Sequence, residues 1–453
     1  MSVIPDSLLI KNIRHLVTCD MEDRVLEHVD LYIEDGWIRH IGTDAPSASR
    51  IIDASGMTVY PGLINTHHHL YQVLTRNLPL VQNLELFDWL IALYELWKNL
   101  GSDSVYYSSL AGMAELLKNG CTTVFDHHYV FPKCSGDLME AQFAAAEALG
   151  VRMISSRGSM SRSRKDGGLP PDSVVQTTDE ILRESQLALE RFHDSRPGSM
   201  QQVVLAPCSP FSVTEDLMLK TAELARSAGV RLHTHLAETK DEESYVLEKT
   251  GMRPLAFMDR LGWVGGDVWY AHGIFFNDEE LKHLAATKTG VAHCPASNMK
   301  LSSGVCRVAD MLELGVPLGL AVDGSASNDA SNLLAEMRHA YLLHRLTSGD
   351  RAPSGYDILK IATCGGAQVL GRSDIGYLAE GMAADFFAVR EDRLELAGAS
   401  FDVSGMLSTV GLCGGVDLTV VNGEVLIQDG RILKHDEQTL ARNATEAARA
   451  LMR

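Results

Sequence analysis

The segment Pro61-Gly62-Leu63-Ile64-Asn65-Thr66-His67-His68-His69 joins a short apolar run to three consecutive histidines. Successive strand side chains point to opposite faces, so His67 and His69 share one face and His68 takes the other. Two imidazoles on one face at a strand's end can grip one divalent metal ion. Further polar residues end apolar runs downstream: His235 and Glu238 in His233-Thr234-His235-Leu236-Ala237-Glu238, His272 in Trp269-Tyr270-Ala271-His272, and Asp323 in Leu320-Ala321-Val322-Asp323. Three neutral imidazoles and one carboxylate suit a borderline divalent ion such as zinc, with a position left for water. Such an ion lowers the pKa of water so that hydroxide exists near neutral pH. Glu238, three residues past His235, can move protons between water, substrate and leaving group without binding the ion. His272 can orient or stabilise the attacking oxygen, and Asp323 can both ligate and accept a proton.

These residues need a scaffold that brings distant strand ends to one rim. Between about 61 and 375 the chain alternates apolar strands and helical segments. The candidate strands are 62–67, 121–126, 151–157, 203–207, 230–235, 267–272, 290–294 and 317–323. Short, nearly continuous apolar runs are expected of strands buried on both faces. Ser104 to Lys118, closed by Gly120, and Thr214 to Ser227, closed by Gly229, read as helices. Asn277-Asp278-Glu279-Glu280 reads as a capping box. Eight strands with helical crossovers predict an α/β fold, a (β/α)8 TIM barrel, whose catalytic groups sit at the C-terminal strand ends. The stretch from His69 to Ser104 is long for a βα connection and carries Tyr71, Phe87, Trp89, Tyr94 and Trp97. It is expected to form a loop that walls the pocket, with most of its aromatics packed onto the barrel.

Both chain ends read as β-rich. Ser7-Leu8-Leu9-Ile10-Lys11, Val29 to Ile33 and Trp37 to Ile41 are strand candidates. Leu418 to Ile427 reads as a hairpin turning at Asn422-Gly423. Residues 1–60 and 376–453 are therefore expected to build one small composite β-domain around a barrel of residues 61–375.

The net charge of −19 argues against nucleic acid as a partner. No uncharged apolar run approaches about 18 residues, so no membrane span is expected. Met1-Ser2-Val3-Ile4-Pro5-Asp6 lacks the pattern of a signal peptide. The 8 cysteines show no Cys-x-x-Cys spacing and are too sparse for a disulfide scaffold. Reduced thiols in a cytoplasm are the simplest expectation, and exposed edges of a composite β-domain favour a homo-oligomer.

Taken in order, His67-x-His69, His235-Leu-Ala-Glu238, Ala271-His272, His293-Cys-Pro-Ala-Ser-Asn298-Met-Lys300 and Asp323-Gly-Ser-Ala-Ser-Asn328 resemble the amidohydrolase superfamily, in particular its nucleobase and aminotriazine deaminases. The resemblance covers nearly the whole chain and implies a metal-dependent hydrolase barrel with a small β-sandwich. It implies His67, His69, His235 and Asp323 as metal ligands, and Glu238, His272 and Asp323 as proton-transfer groups. The strand-four motif Leu205-Ala206-Pro207-Cys208-Ser209-Pro210 offers no bridging lysine, which favours one divalent ion per subunit, zinc or Fe2+. Gln72 stands where guanine-deaminase relatives hold the ring with a glutamine. Cys208 stands where they carry an arginine, and a thiol cannot form a bidentate clamp. Cys208, Arg157-Gly158-Ser159-Met160-Ser161, Gly167-Gly168-Leu169-Pro170-Pro171 and Asp126-His127-His128-Tyr129 are similar to the bacterial 8-oxoguanine deaminases. That subgroup implies hydrolysis of 8-oxoguanine to urate and ammonia. Trp89 is expected to lie against the ring and Arg157 to reach the extra oxo group or form an internal ion pair. His127 and His128 are expected to satisfy each other and the backbone. The alternatives are hydroxydechloroatrazine ethylaminohydrolase, isoxanthopterin or guanine deaminase, and a catalytically dead barrel serving as a scaffold.

Overall fold

Eight short strands lie side by side in one parallel sheet: β1 (Leu63–Asn65), β2 (Cys121–Asp126), β3 (Arg152–Ser159), β4 (Gln201–Pro207), β5 (Leu232–Leu236), β6 (Val268–His272), β7 (Gly290–His293) and β8 (Leu318–Leu320). Neighbours in sequence are neighbours in the sheet. The seam is closed beyond β1 and β8, where His68–His69 pairs in parallel with Asp323–Gly324. The computed structural model describes residues 7–453, and Met1–Asp6, read above for a signal pattern, lies outside them.

Alternation along each strand divides the core in two. Ile64, Phe125, Ile154, Val204, Trp269 and Ala292 share one buried cluster. Their strand neighbours Leu63, Val124, Met153, Val203, Leu205, Val268 and Val291 join a second cluster with the surrounding helices. This is the period-2 pattern of a sheet closed on itself, with a filled interior and a helical jacket. The helices carry their sequence signals. Ser102–Lys118 is followed by Gly120, and Glu215–Ala228 is capped by Thr214 and stopped by left-handed Gly229. The capping box at Asn277 and Glu280 opens Asp278–Thr287.

The stretch after His69 departs from expectation. It is not a loop but a 3-10 turn (Leu70–Thr75), a second short turn and the α-helix Leu86–Trp97. Leu86, Trp89, Leu90, Leu93, Tyr94 and Trp97 are its buried side. Tyr71, Tyr94 and Trp97 pack edge to face, so most of the aromatics here are core.

The chain ends form a separate nine-stranded sheet. Met57–Pro61 pairs in parallel with the first strand, Ser7–Val17, and antiparallel with Phe386–Arg390, so one strand joins the two ends. Leu8, Ile10 and Leu31 from one side share a core with Phe386, Leu418 and Val425 from the other. Asn422 and Gly423 turn the hairpin with φ of 49° and 80°, as a two-residue type I′ turn requires. The architecture is a TIM barrel plus a small sandwich built from both chain ends. The last helix, Glu437–Leu451, lies along the barrel helix Ser102–Lys118, with Lys118 Nζ 2.5 Å from Glu437 Oε2. No helix among the described residues is long and apolar enough to cross a membrane.

Candidate active site

The site lies at the C-terminal strand ends, where the closing pair His68–His69 with Asp323–Gly324 sets histidine and aspartate tips side by side. Asp323 N donates to His67 O at 3.1 Å, which fixes this register. Asp126, at the tip of β2, holds the turn after His69: its Oδ1 accepts from Leu70 N at 2.6 Å and its Oδ2 from Gln142 Nε2 at 2.5 Å. Burial pushes that carboxyl up to about 6. Three non-glycine residues here hold left-handed backbone, Ala237 (φ 55°), His272 (φ 74°) and Asp323 (φ 60°). Such conformations cost free energy and persist only where the surroundings over-determine them.

The histidine tips converge. His69 Nε2 lies 3.2 Å from His235 Nε2, and Asp323 Oδ1 lies 3.3 Å from both His67 Nε2 and His69 Nε2. His69 Nδ1 donates to His127 O at 2.7 Å and His235 Nδ1 to Cys208 O at 2.6 Å. A carbonyl only accepts, so both rings carry a proton on Nδ1, and each ring in its neutral form turns a bare Nε2 lone pair inward. His67 Nε2 is buried with no hydrogen-bond partner. Lone pairs and a carboxylate oxygen crowded this closely repel one another unless a cation lies between them, so the donor set fits a divalent ion. Two overlapping groups have ligand atoms mutually within 4.8 Å: His67, His69, His127 and His235, and His67, His235, His272 and Asp323.

The proton-moving candidates surround this point. His272 Nε2 lies 3.5 Å from Glu238 Oε2 and 3.9 Å from Asp323 Oδ2. Asn298 Oδ1 faces His272 Nδ1 at 2.9 Å and steadies the ring. Ser297 Oγ and Ser327 Oγ donate to Asp323 Oδ2 at 2.5 and 3.2 Å, which fixes the carboxylate plane. Burial first, then the nearby Asp323 and Glu242 carboxylates, raise the Glu238 carboxyl well above the ordinary range. A carboxyl so placed can carry a proton near neutral pH.

A narrow cavity opens over these groups, lined by His69, His235, Glu238, His272 and Asp323 and also by Gln72, Trp89 and Cys208. Gln72 Nε2 and Trp89 Nε1 are buried without a partner. Gln72 lies flat against Gly324, where any Cβ would fall 1.9 Å from its Oε1. Burial pushes the Cys208 thiol up to about 12, so it is a neutral wall rather than a nucleophile.

Arg157 is a correction. Its guanidinium does not line the cavity. It lies 3.8 Å over the Phe131 ring and pairs with Gln176 Oε1 at 2.6 Å and Glu184 Oε2 at 2.5 Å. On β3 it has the parity of Met153, which faces the helical jacket, so the ion-pair alternative describes it. His127 and His128 are a second correction, because they do not satisfy each other. His127 Nε2 donates to Ala206 O at 2.9 Å, its Nδ1 has no partner, and the ring stacks on His235 at 4.8 Å. Gln142 approaches His128 at 3.5 Å, and His128 Nε2 is unpartnered. Ser297 and Glu242 were not singled out from the sequence, Asn298 entered only as a motif position, and His233 only as a neighbour of His235. For His233 the signal was present, since it shares the strand face of His235 two residues on.

The chain is similar to known proteins over most of its length. A profile described as the amidohydrolase family matches residues 58–426. An 8-oxoguanine deaminase of Pseudomonas aeruginosa is 44% identical over 429 residues, covering 93% of this chain and 94% of that one. A hydroxydechloroatrazine ethylaminohydrolase of Pseudomonas sp. strain ADP is 41% identical over 453 residues, covering 96% and 94%. Among solved structures, a zinc-complexed atrazine chlorohydrolase from Arthrobacter aurescens TC1 superposes with a TM-score of 0.94 at 32% identity, covering 97% of this chain and 100% of that one. Motif order, barrel and family profile agree, and the chain is an enzyme of the amidohydrolase family that hydrolyses carbon–nitrogen bonds.

Proposed function

We propose that the protein is a zinc-dependent hydrolytic deaminase of 8-oxoguanine, releasing urate and ammonia. The observation that carries the reading is a cavity lined by Glu238, His272 and Asp323 together with Gln72, whose Nε2 has no partner. The 44% identity to an 8-oxoguanine deaminase over nearly the full length supports the substrate.

In this reading His67, His69, His235 and Asp323 hold one ion, which when bound supplies Lewis acidity and makes water nucleophilic near neutral pH. Asp323, steadied by Ser297 and Ser327, accepts a proton from the attacking water. Glu238 protonates the ring nitrogen beside the amine-bearing carbon as charge develops there. His272, oriented by Asn298, faces the oxygen of the tetrahedral carbon. Asp323 then passes its proton to the departing amine, the hydroxyl on the tetrahedral carbon returns a proton to Glu238 as the carbonyl forms, and ammonia leaves. Gln72 donates through Nε2 to a ring acceptor, Trp89 lies against the ring plane, and the neutral Cys208 leaves no cation to clamp an anionic edge. Borderline ligands also serve Fe2+, so metal content decides the ion.

The same cavity is walled by Leu86, Leu90, Phe211 and Leu301. This apolar side favours a second reading, in which an N-alkylated aminotriazine undergoes the same attack. The 8 cysteines are all free, which supports a reducing, cytoplasmic setting. The division into a barrel of residues 61–375 and a composite unit of 1–60 and 376–453, and assembly as a homo-oligomer, belong to the same reading.

The test is ammonia release by metal-loaded enzyme presented with 8-oxoguanine, guanine, isoxanthopterin and hydroxydechloroatrazine. The expected result is a strong preference for 8-oxoguanine, with urate as product. Turnover of the triazine alone would transfer the assignment to the second reading, and turnover of none would remove the substrate class.

A further inference from the structure

Among the three inward-facing imidazoles, His67 is held differently. His69 and His235 each donate Nδ1 to a main-chain carbonyl, which no side-chain substitution can remove. His67 Nδ1 instead meets another ring nitrogen, His233 Nε2, at 2.8 Å. A ring nitrogen can donate or accept, so this contact alone leaves the His67 proton unplaced. The next bond places it. His233 Nδ1 lies 2.9 Å from Trp269 O, which can only accept. A neutral His233 therefore carries its proton on Nδ1 and accepts at Nε2. His67 must then donate from Nδ1, and its Nε2 is left bare, as in the other two rings.

We propose that His233 is a positioning residue for the metal centre: through the relay His67–His233–Trp269 O it fixes the His67 tautomer and keeps Nε2 free to ligate. The proposal rests on the metal-site reading above. His233 is fully buried, does not line the cavity and touches no reacting atom. Its ring is fixed from two sides, tilted on Trp269 at 4.5 Å and edge-on to Phe125 at 4.9 Å. It stands one step deeper in the barrel than His235, on the same face of β5. Without an acceptor at Nδ1, the His67 proton is free to move to Nε2, which faces the Asp323 carboxylate with Oδ1 3.3 Å away. An incoming ion must then displace that proton, which weakens binding.

The discriminating pair of variants is His233→Gln and His233→Asn. Glutamine carries its amide oxygen out to the position of Nε2 and accepts from His67. Asparagine reaches only to the position of Nδ1, near Trp269 O, and leaves His67 without an acceptor. Both are polar and smaller than or close to histidine, so both place the same kind of group in the strand. Zinc affinity of the metal-free proteins is measured by competition with a chromophoric chelator, and the visible spectrum is recorded after Co2+ loading. Melting of the metal-free forms reports any purely structural loss. The expected result is zinc binding about 10–100-fold weaker in His233→Asn, the range for lost outer ligands, with an altered cobalt spectrum. His233→Gln is expected to regain most of the affinity and the wild-type spectrum. Equal zinc affinity in the two variants would overturn the proposal. Failure of the wild-type protein itself to bind zinc would overturn the metal-site reading, and the relay with it.

Discussion

Glu238 and His67 separate two functions that the site combines. Glu238→Gln keeps the shape of the side chain but cannot carry the proton. It is expected to retain wild-type metal content and lose about 10²–10⁴-fold in kcat, the range for general acid–base groups. His67→Ala removes a proposed ligand whose Nε2 has no hydrogen-bond partner, so metal content and turnover should fall together in elemental analysis and ammonia assays. Wild-type rates in Glu238→Gln would end its role as proton carrier. These residues were legible in the sequence because a polar group at the tip of an apolar strand has few structural reasons to be there. His233 carried a signal, the strand face it shares with His235, but a histidine inside a strand reads equally well as packing; His127, just past the end of β2, was expected to be satisfied by its neighbours. For Arg157 the sequence allowed either the oxo group or an ion pair, and the structure shows the ion pair: strand parity with Met153 sends it outward, and its partner Glu184 lies on a helix 27 residues later.

The turn that carries Glu238 depends on an element the motif does not name. Glu242, in the first turn of the helix Lys240–Thr250, accepts from Ala237 N at 2.9 Å and Glu238 N at 2.8 Å. Those bonds hold Ala237 at its φ of 55° and aim Glu238 into the cavity. Glu242→Ala leaves two buried amides without acceptors, at a cost of about 1–3 kcal/mol each. Denaturant melts should show the loss, and kcat should fall while metal content stays. An unchanged kcat would show that Glu238 holds its position without this support. The helix Leu86–Trp97 shows why elements were harder to read than tips. Its buried residues follow i, i+3, i+4, i+7 spacing, but Glu85 at its start makes no side-chain cap bond, so the sequence lacked a start signal.

At the scale of the molecule, barrel and outer sheet are locked by one buried ion pair. Arg152 at the start of β3 meets Asp385 through Nε–Oδ2 and Nη2–Oδ1 contacts of 2.9 Å each, and also donates to Ser199 O at 2.6 Å. Asp385 in turn accepts from Asn422 N at 2.7 Å, at the hairpin turn. Arg152→Ala strands a buried carboxylate, a change worth about 3–5 kcal/mol. Chemical denaturation should register that loss, while the folded fraction keeps its kcat because neither residue lines the cavity. The barrel was legible because apolar runs and helices alternate. The strand Met57–Pro61, which pairs with both chain ends, was not, because such pairing is a property of the folded sheet rather than of any one segment.

In the proposed function everything turns on a single bound ion, without which the converging imidazoles and Asp323 have no chemistry to perform. Metal-free enzyme should therefore be titrated with zinc while binding and ammonia release from 8-oxoguanine are followed together. Both signals are expected to rise in parallel and to saturate at one ion per chain. Turnover by the metal-free protein, or activity that emerges only after a second ion binds, would refute a one-ion hydrolase.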